Sequence, residues 1–261
     1  MHLGVLGAGS IVPQPGLGCA GYALLEPDQP EAPVTLLDLG PGTVRSLPRL
    51  GIGLGRVERV VLSHFHPDHC LDLFALAFAR RNPSFRDAPR IELVGPPGLA
   101  RLLGEAPATW GRWARDPNAE VTEVALDAEG TATLEREGLR MRCQRNGHSE
   151  ELVTLSWRLE DPGGAWSLLY TGDTNEDPRV ARLGKGVDVF LAECSFPDEQ
   201  ATANHLGPSS AARLANEAGA RALLLSHFYP AHAPSEALER ARTVFAGPVE
   251  AARDGSLHPL G

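Results

Sequence analysis

The stretch VVLSHFHPDH, residues 60–69, decides how the rest of this 261-residue chain is read. Val60 to Ser63 have the character of a buried strand, and the strand runs straight into His64, His66, Asp68 and His69. Three imidazoles and a carboxylate within six residues are denser than packing requires, and this donor set suits a borderline divalent ion such as zinc. In an extended loop His64 and His66 project to one side and can share one ion. Asp68 and His69, at the turn into the next helix, are placed for a second.

One such string cannot complete two coordination shells, so other strand ends must contribute. The candidates are His148 in NGHS, Asp173 in YTGDT and His227 in LLSHF. Asp173 is the natural bridge, because its two oxygens can hold ions about 3.5–4 Å apart. The expected sets are His64, His66, His148 and Asp173 for one ion, and Asp68, His69, His227 and Asp173 for the other.

Short apolar runs bounded by Gly, Pro or Asp predict buried strands at 3–7, 22–26, 34–40, 57–64, 90–95, 166–173, 187–194 and 222–227. Leu71, Phe74, Ala77 and Phe78 have helical spacing within 70–81. Pro208 and Gly219 bracket a second helix over 208–218, and 235–245 is a third. Alternation over 117–143 predicts antiparallel strand. VVLSH (60–64) resembles LLLSH (223–227), and LLDLG (36–40) loosely resembles LLYTGD (168–173), which suggests two duplicated halves whose strand ends meet. No linker interrupts the chain, so residues 1–261 are expected to form one domain, an α/β fold of sheets covered by helices.

With 24 Lys+Arg against 33 Asp+Glu the formal charge is −9, a field that repels long nucleic acids and anionic membranes. No apolar run approaches the roughly 18 residues that span a bilayer, and the chain reads as cytoplasmic. Cys19, Cys70, Cys143 and Cys194 include no CxxC pair, so buried thiols are expected rather than disulfides or a zinc knuckle.

HxHxDH, a distant His, a GDT Asp and a final strand-end His together resemble the metallo-β-lactamase superfamily, collinearly from about residue 3 to residue 232. The resemblance implies an αββα sandwich, two mixed sheets covered by helices, with a two-metal site at the sheet edge. LGAGSIVPQPG (6–16), LLDLGPGT (36–43), HFHPDHCLDL (64–73), LAECSF (191–196) and His205-Leu206-Gly207-Pro208 look like its ribonuclease Z-like branch. That branch implies two divalent ions, zinc first and manganese as the alternative, with His205 assisting at the phosphate and a homodimer as the assembly. Asp68 and His205 are then the catalytic residues.

Members that mature transfer RNA commonly carry a long arm between the third His and the GDT Asp. Only the 24 residues 149–172 lie there in this chain, enough for two strands and a turn. The expected substrate is therefore a small phosphodiester, with a cyclic nucleotide as the candidate, attacked by a metal-bridging hydroxide. The alternatives are a transfer-RNA 3′-processing endoribonuclease and a lactonase or thioesterase in which Tyr229 helps the leaving group. A noncatalytic module is disfavoured because all seven ligand positions are occupied.

Asp38 and Glu193 are candidates to hold the ligands from behind, and Glu193 alternatively to orient His205. Gly4, Gly7 and Gly9 turn a strand back rather than build a phosphate loop. The Arg80, Arg81, Arg86 and Arg90 cluster reads as solvated surface, Trp110 and Trp113 as a packed helix face, His232 as pocket rim, and His2 and His258 as surface.

Overall fold

The computed structural model describes residues 1–261 except Ala201 and His232, so the expectation for His232 lies outside the described residues. Strands β1 (His2–Gly7), β2 (Gly21–Leu25), β3 (Val34–Leu37), β4 (Val57–Val61), β5 (Ile91–Gly95) and β6 (Ala119–Glu123) build a first sheet. A second sheet comprises β7 (Thr131–Arg136), β8 (Leu139–Arg145), β9 (Leu155–Glu160), β10 (Ser167–Tyr170), β11 (Val189–Glu193), β12 (Ala222–Ser226) and β13 (Val249–Ala251). The chain then returns to edge the first sheet with β14 (Leu257–Pro259).

The two sheets repeat one pattern. In the order β14-β1-β2-β3-β4-β5-β6 three antiparallel pairings are followed by three parallel ones, and β7-β8-β9-β10-β11-β12-β13 does the same. On this pattern β3 matches β10, which agrees with the likeness of LLDLG to LLYTGD. It matches β4 to β11 and β5 to β12, so VVLSH and LLLSH are not equivalent, although both end at the same edge. Their shared His answers a shared chemical need at that edge rather than a shared place in the repeat, and the serines differ, Ser63 bonding His64 and Asp38 while Ser226 bonds Tyr22.

Tyr22, Leu37, Val61, Met141, Leu155 and Trp157 fill the space between the sheets. Leu36, Leu62, Leu73 and Leu76 pack helices against the outer face of the first sheet, and Phe190, Leu206, Leu214 and Leu225 do so for the second. The result is the αββα sandwich. Trp157 Nε1 donates to the Leu62 carbonyl (3.0 Å) and Leu155 N to the Ser63 carbonyl (2.9 Å), which clamps the sheets together just before His64.

Several local expectations change. The helix expected over 70–81 begins at Pro67 and divides at Leu71, giving Pro67–Cys70 and Asp72–Arg80. Leu73, Leu76 and Ala77 face the core while Leu71 and Phe78 are 45% and 60% exposed, because hydrogen bonds of Leu39 with His69 and Asp72 fix the rotation of this segment. Trp110 and Trp113 are half exposed, resting on Phe74 and Phe78 instead of forming a packed face. β6 pairs parallel with β5, and only the β7–β8 part of 117–143 is antiparallel, since the two parts belong to different sheets. Arg80 is buried on Asp116 and the Pro89 carbonyl rather than solvated. His258 is half-buried against Glu250 and Ser256. The other two helices span Pro208–Ala218 and Pro234–Arg242. The four cysteines are buried and form no disulfide. No helix among the described residues is long and apolar enough to cross a membrane.

A second tie between the sheets is ionic. Glu92 on β5 accepts from Arg59 Nε on β4 (2.7 Å) and from Arg136 Nε on β7 (3.0 Å). Burial pushes the Glu92 carboxyl up, but hydrogen bonds and charge from Arg136 and Arg59 outweigh it and hold the group at about 2. Because the folded value lies below the ordinary 4.5, this stabilisation is complete above about pH 4.5 and is lost as pH falls toward 2. Urea unfolding should show Glu92→Gln about 1–2 kcal/mol less stable at pH 7, discounted for partial exposure. The gap to wild type should narrow as the pH is lowered from 4.5 to 3.5.

Candidate metal centre

The centre is assembled on Asp38, which leaves β3 with φ of 54°, a left-handed conformation uncommon outside glycine. Its fully buried carboxylate accepts from Ser63 N (2.7 Å), Ser63 Oγ (2.6 Å), His69 Nδ1 (2.7 Å) and Tyr170 Oη (2.5 Å). Four donors compensate the loss of water around one charge. Gly40, just beyond, has to be glycine: a Cβ there would stand 2.0 Å from the Asp68 carbonyl and 2.6 Å from Cys19 Cβ. The loop after β3 can thus press against the HxHxDH turn, with Leu39 N donating to the His69 carbonyl at 2.7 Å.

The sequence-predicted residues fall into two adjoining groups. His64, His66, His148 and Asp173 bring one donor atom each within 4.8 Å of one another, and Asp68, His69 and His227 form a second group on the same measure. Asp173 stands between them. Its Oδ1 lies 3.3 Å from His69 Nε2 and 3.6 Å from His227 Nε2, and its Oδ2 lies 3.8 Å from His148 Nε2. Asp68 Oδ2 is 3.5 Å from His227 Nε2.

The outer partners of the imidazoles reveal what the inner atoms are for. His148 Nδ1 donates to the Asn204 carbonyl (2.9 Å), and His69 Nδ1 donates to Asp38. His64 Nδ1 donates to Ser63 Oγ, whose own proton goes to Asp38; His227 Nδ1 donates to Ser195 Oγ (3.0 Å), whose own proton goes to Glu193. With the N–H groups of His64, His69, His148 and His227 outside, their other nitrogens turn inward, where His66 Nδ1 joins them: His64 Nε2 and His66 Nδ1 at 2.9 Å, His66 Nδ1 and His148 Nε2 at 3.1 Å, His69 Nε2 and His227 Nε2 at 3.2 Å. Lone pairs facing lone pairs repel unless a cation lies between them. Asp173 Oδ1 is buried and accepts no hydrogen bond among the described residues. Both features fit divalent ions held by imidazole and carboxylate.

Electrostatics agrees in direction. Burial alone would raise the Asp173 carboxyl, but positive charge at His227 and His69 holds it well below the usual range, a place that cations would equally fill. Burial and neighbouring rings push His64 well below an ordinary histidine. His69 goes the other way: Asp173 and Asp38 outweigh burial and favour positive charge at this ring, which a cation at Nε2 would supply in place of a proton.

His205 stands beside these groups, its ring 4.7 Å from that of His148, and its Nδ1 meets both oxygens of Glu193 at 3.1 and 3.0 Å. Burial opposes its charge, but the bond and charge of Glu193 prevail and raise it to about 9. Glu193 also accepts from Thr174 N at 2.7 Å, next to Asp173. Sequence reasoning missed Ser63, Tyr170, Ser195 and Asn204. Ser63 and Ser195 carry a faint signal, each lying just past the end of one of the equivalent strands β4 and β11. Tyr170 and Asn204 carry none, because one acts across the sheets and the other through its backbone.

A family model described as the Beta-lactamase superfamily domain matches residues 35–228. An uncharacterized protein of Mycobacterium leprae (strain TN) is 34% identical over 258 residues, 98% of this chain and 87% of its own length. A ribonuclease Z of Mycobacterium bovis (strain BCG / Pasteur 1173P2) is 26% identical over 276 residues, 97% of this chain and 96% of its own. Among solved structures, the metallo-beta-lactamase fold protein YhfI from Bacillus subtilis superposes with a TM-score of 0.83 at 21% identity, covering 99% of both chains, a likeness of fold. The chain belongs to the metallo-β-lactamase superfamily, in its ribonuclease Z-like branch.

Proposed function

We propose that this metal-dependent hydrolase cleaves a small phosphodiester, with a cyclic nucleotide as the leading candidate, and that His64, His66, His148 and Asp173 hold one divalent ion while Asp68, His69, His227 and Asp173 hold the other. The observation that carries this reading is the pair of adjoining donor groups that share Asp173, with His205 backed by Glu193 at their side. Imidazole and carboxylate donors favour zinc, with manganese as the alternative.

When bound, two such ions supply a water acidic enough to ionise near neutral pH and positive charge against phosphate oxygens. The chain's own groups do the rest. Asp38, the Asn204 carbonyl and Ser195 fix the ring orientations, so the donor atoms need no rearrangement. His205 keeps Nδ1–H on Glu193, which favours the protonated ring, and offers Nε2–H to the leaving oxygen as general acid. Asp68 would hold an ion together with His227, its Oδ2 standing 3.5 Å from that ring's Nε2.

Size and charge support a small substrate. The segment between His148 and Asp173 is spent on β9, β10 and their turn, which leaves no chain for an RNA-gripping arm, and the net charge is −9. The ribonuclease Z likeness keeps transfer-RNA processing as the rival reading.

Two experiments test the proposal. Elemental analysis should find two divalent ions per chain in the wild type and at most one in Asp173→Asn, and chelator should lower the melting temperature of the former more than of the latter. Two ions retained by Asp173→Asn would remove the bridging assignment. Turnover of bis-p-nitrophenyl phosphate, cyclic AMP, a transfer-RNA precursor and a lactone should favour the small diesters. His205→Ala should lower kcat by about 10²–10⁴-fold with metal content unchanged; an effect on melting temperature alone would overturn the acid role.

A further inference from the structure

The turn after β1, tied to the residue that follows His227, carries exposed apolar side chains for which phosphate chemistry alone has no use. Ile11 and Val12 are 46% and 42% exposed, although residues of this kind are commonly buried. The turn that presents them is held firmly. Gly9 N donates to the Gly18 carbonyl (2.7 Å), Cys19 Sγ to the Ser10 carbonyl (3.3 Å) and Gln14 Nε2 to the Phe228 carbonyl (2.6 Å), while Phe228 N donates to the Ala8 carbonyl (3.0 Å). Pro13 and Pro15 stiffen it further. Exposure here is therefore built in.

Phe228 lies between the metal-site residue His227 and Tyr229, so a turn tied to Phe228 from both ends stands next to Tyr229. The Tyr229 ring lies 5.7 Å from His227 and 6.3 Å from His205, and it stacks on Phe196 at 4.8 Å and 24°. Both aromatic rings are half-buried. An aromatic pair thus stands beside a centre built for one anion, and the turn bound to the neighbouring Phe228 presents two exposed aliphatic side chains. That combination matches a ligand with one phosphate and one neutral planar ring.

We infer that Ile11 and Val12 on one side and the Phe196–Tyr229 pair on the other form a slot for the nucleobase of a nucleotide diester. The inference rests on the phosphodiesterase reading and narrows it: the base is held by stacking and apolar contact, through its π-face rather than its hydrogen-bonding edge. The slot should accept any nucleobase and prefer purines, which have the larger stacking face.

The test uses the metal-loaded full chain, cyclic AMP and the corresponding base-free ribose 3′,5′-cyclic phosphate. Wild type should prefer cyclic AMP in kcat/KM by roughly tenfold or more, mostly through KM. The paired change Ile11→Ser with Val12→Ser, at exposed positions that tolerate it, should collapse that ratio, as should Tyr229→Ala; Tyr229→Phe, which keeps the stacking face, should preserve it. Equal treatment of the two diesters by wild type, or a ratio unchanged in the paired variant, would overturn the slot. Failure of the phosphodiesterase reading is distinct, showing as no hydrolysis of either diester. The slot is then read by calorimetry, where AMP should bind about tenfold tighter than ribose 5-phosphate to wild type and no tighter to the paired variant. Equal affinity of wild type for the two ligands would dismiss the slot by that route as well.

Discussion

One buried carboxylate holds the two halves of this molecule in the register its chemistry requires. Asp38 leaves β3 of the first sheet, takes two hydrogen bonds from Ser63 at the end of β4, one from His69 in the turn beyond, and one from Tyr170 on β10 of the second sheet. A fully buried charge is tolerated only when its acceptor sites are filled, so each of these groups is constrained by the electrostatic need of Asp38. The same four bonds bring the strand end carrying the HxHxDH string to the strand that leads into Asp173.

Conformational strain gathers at this edge. Asp38 and His227 are the only described non-glycine residues with positive φ, 54° and 58°, and both lie at strand ends facing the centre. Such a conformation costs about 1–2 kcal/mol for an L-residue, and the surrounding bonds must outweigh it. For His227 they are the Ser195 hydroxyl on one ring nitrogen and the Asp68 and Asp173 carboxylates near the other. Gly172 serves the same edge, since a Cβ there would stand 2.8 Å from Ser63 Cβ.

Apolar runs bounded by turn residues made an α/β fold legible, the resemblance implied the two-sheet sandwich, and imidazoles and carboxylates at the ends of those runs marked the inward-facing residues. The sequence was less informative wherever the outcome turns on rotation or on the partner across the sheets. Helical spacing in 70–81 pointed to the face carrying Phe74 and Phe78, yet the bonds from Leu39 turn that face outward. Ser63 and Ser195 act by relaying a histidine N–H to a carboxylate, a role that depends on geometry and not on residue type. The likeness of VVLSH and LLLSH misled for a related reason, since local chemistry at one edge imitates descent from one repeat.

On the phosphodiesterase reading, charge accounts for how an acidic chain would serve an anionic substrate. Asp38, Asp68, Asp173 and Glu193 are all buried around the centre, and two divalent ions would match their combined charge. A protonated His205 then balances the proposed hydroxide, so the loaded centre would be close to neutral within a chain of net charge −9. The field beyond the pocket stays repulsive to a polyanion, because exposed charges are screened only over about 8–10 Å while a long nucleic acid meets many of them at once. A diester with one phosphate meets mainly the centre itself. On the proposed reading the acidity of the chain would act as a size filter, together with the short segment between His148 and Asp173 rather than independently of it.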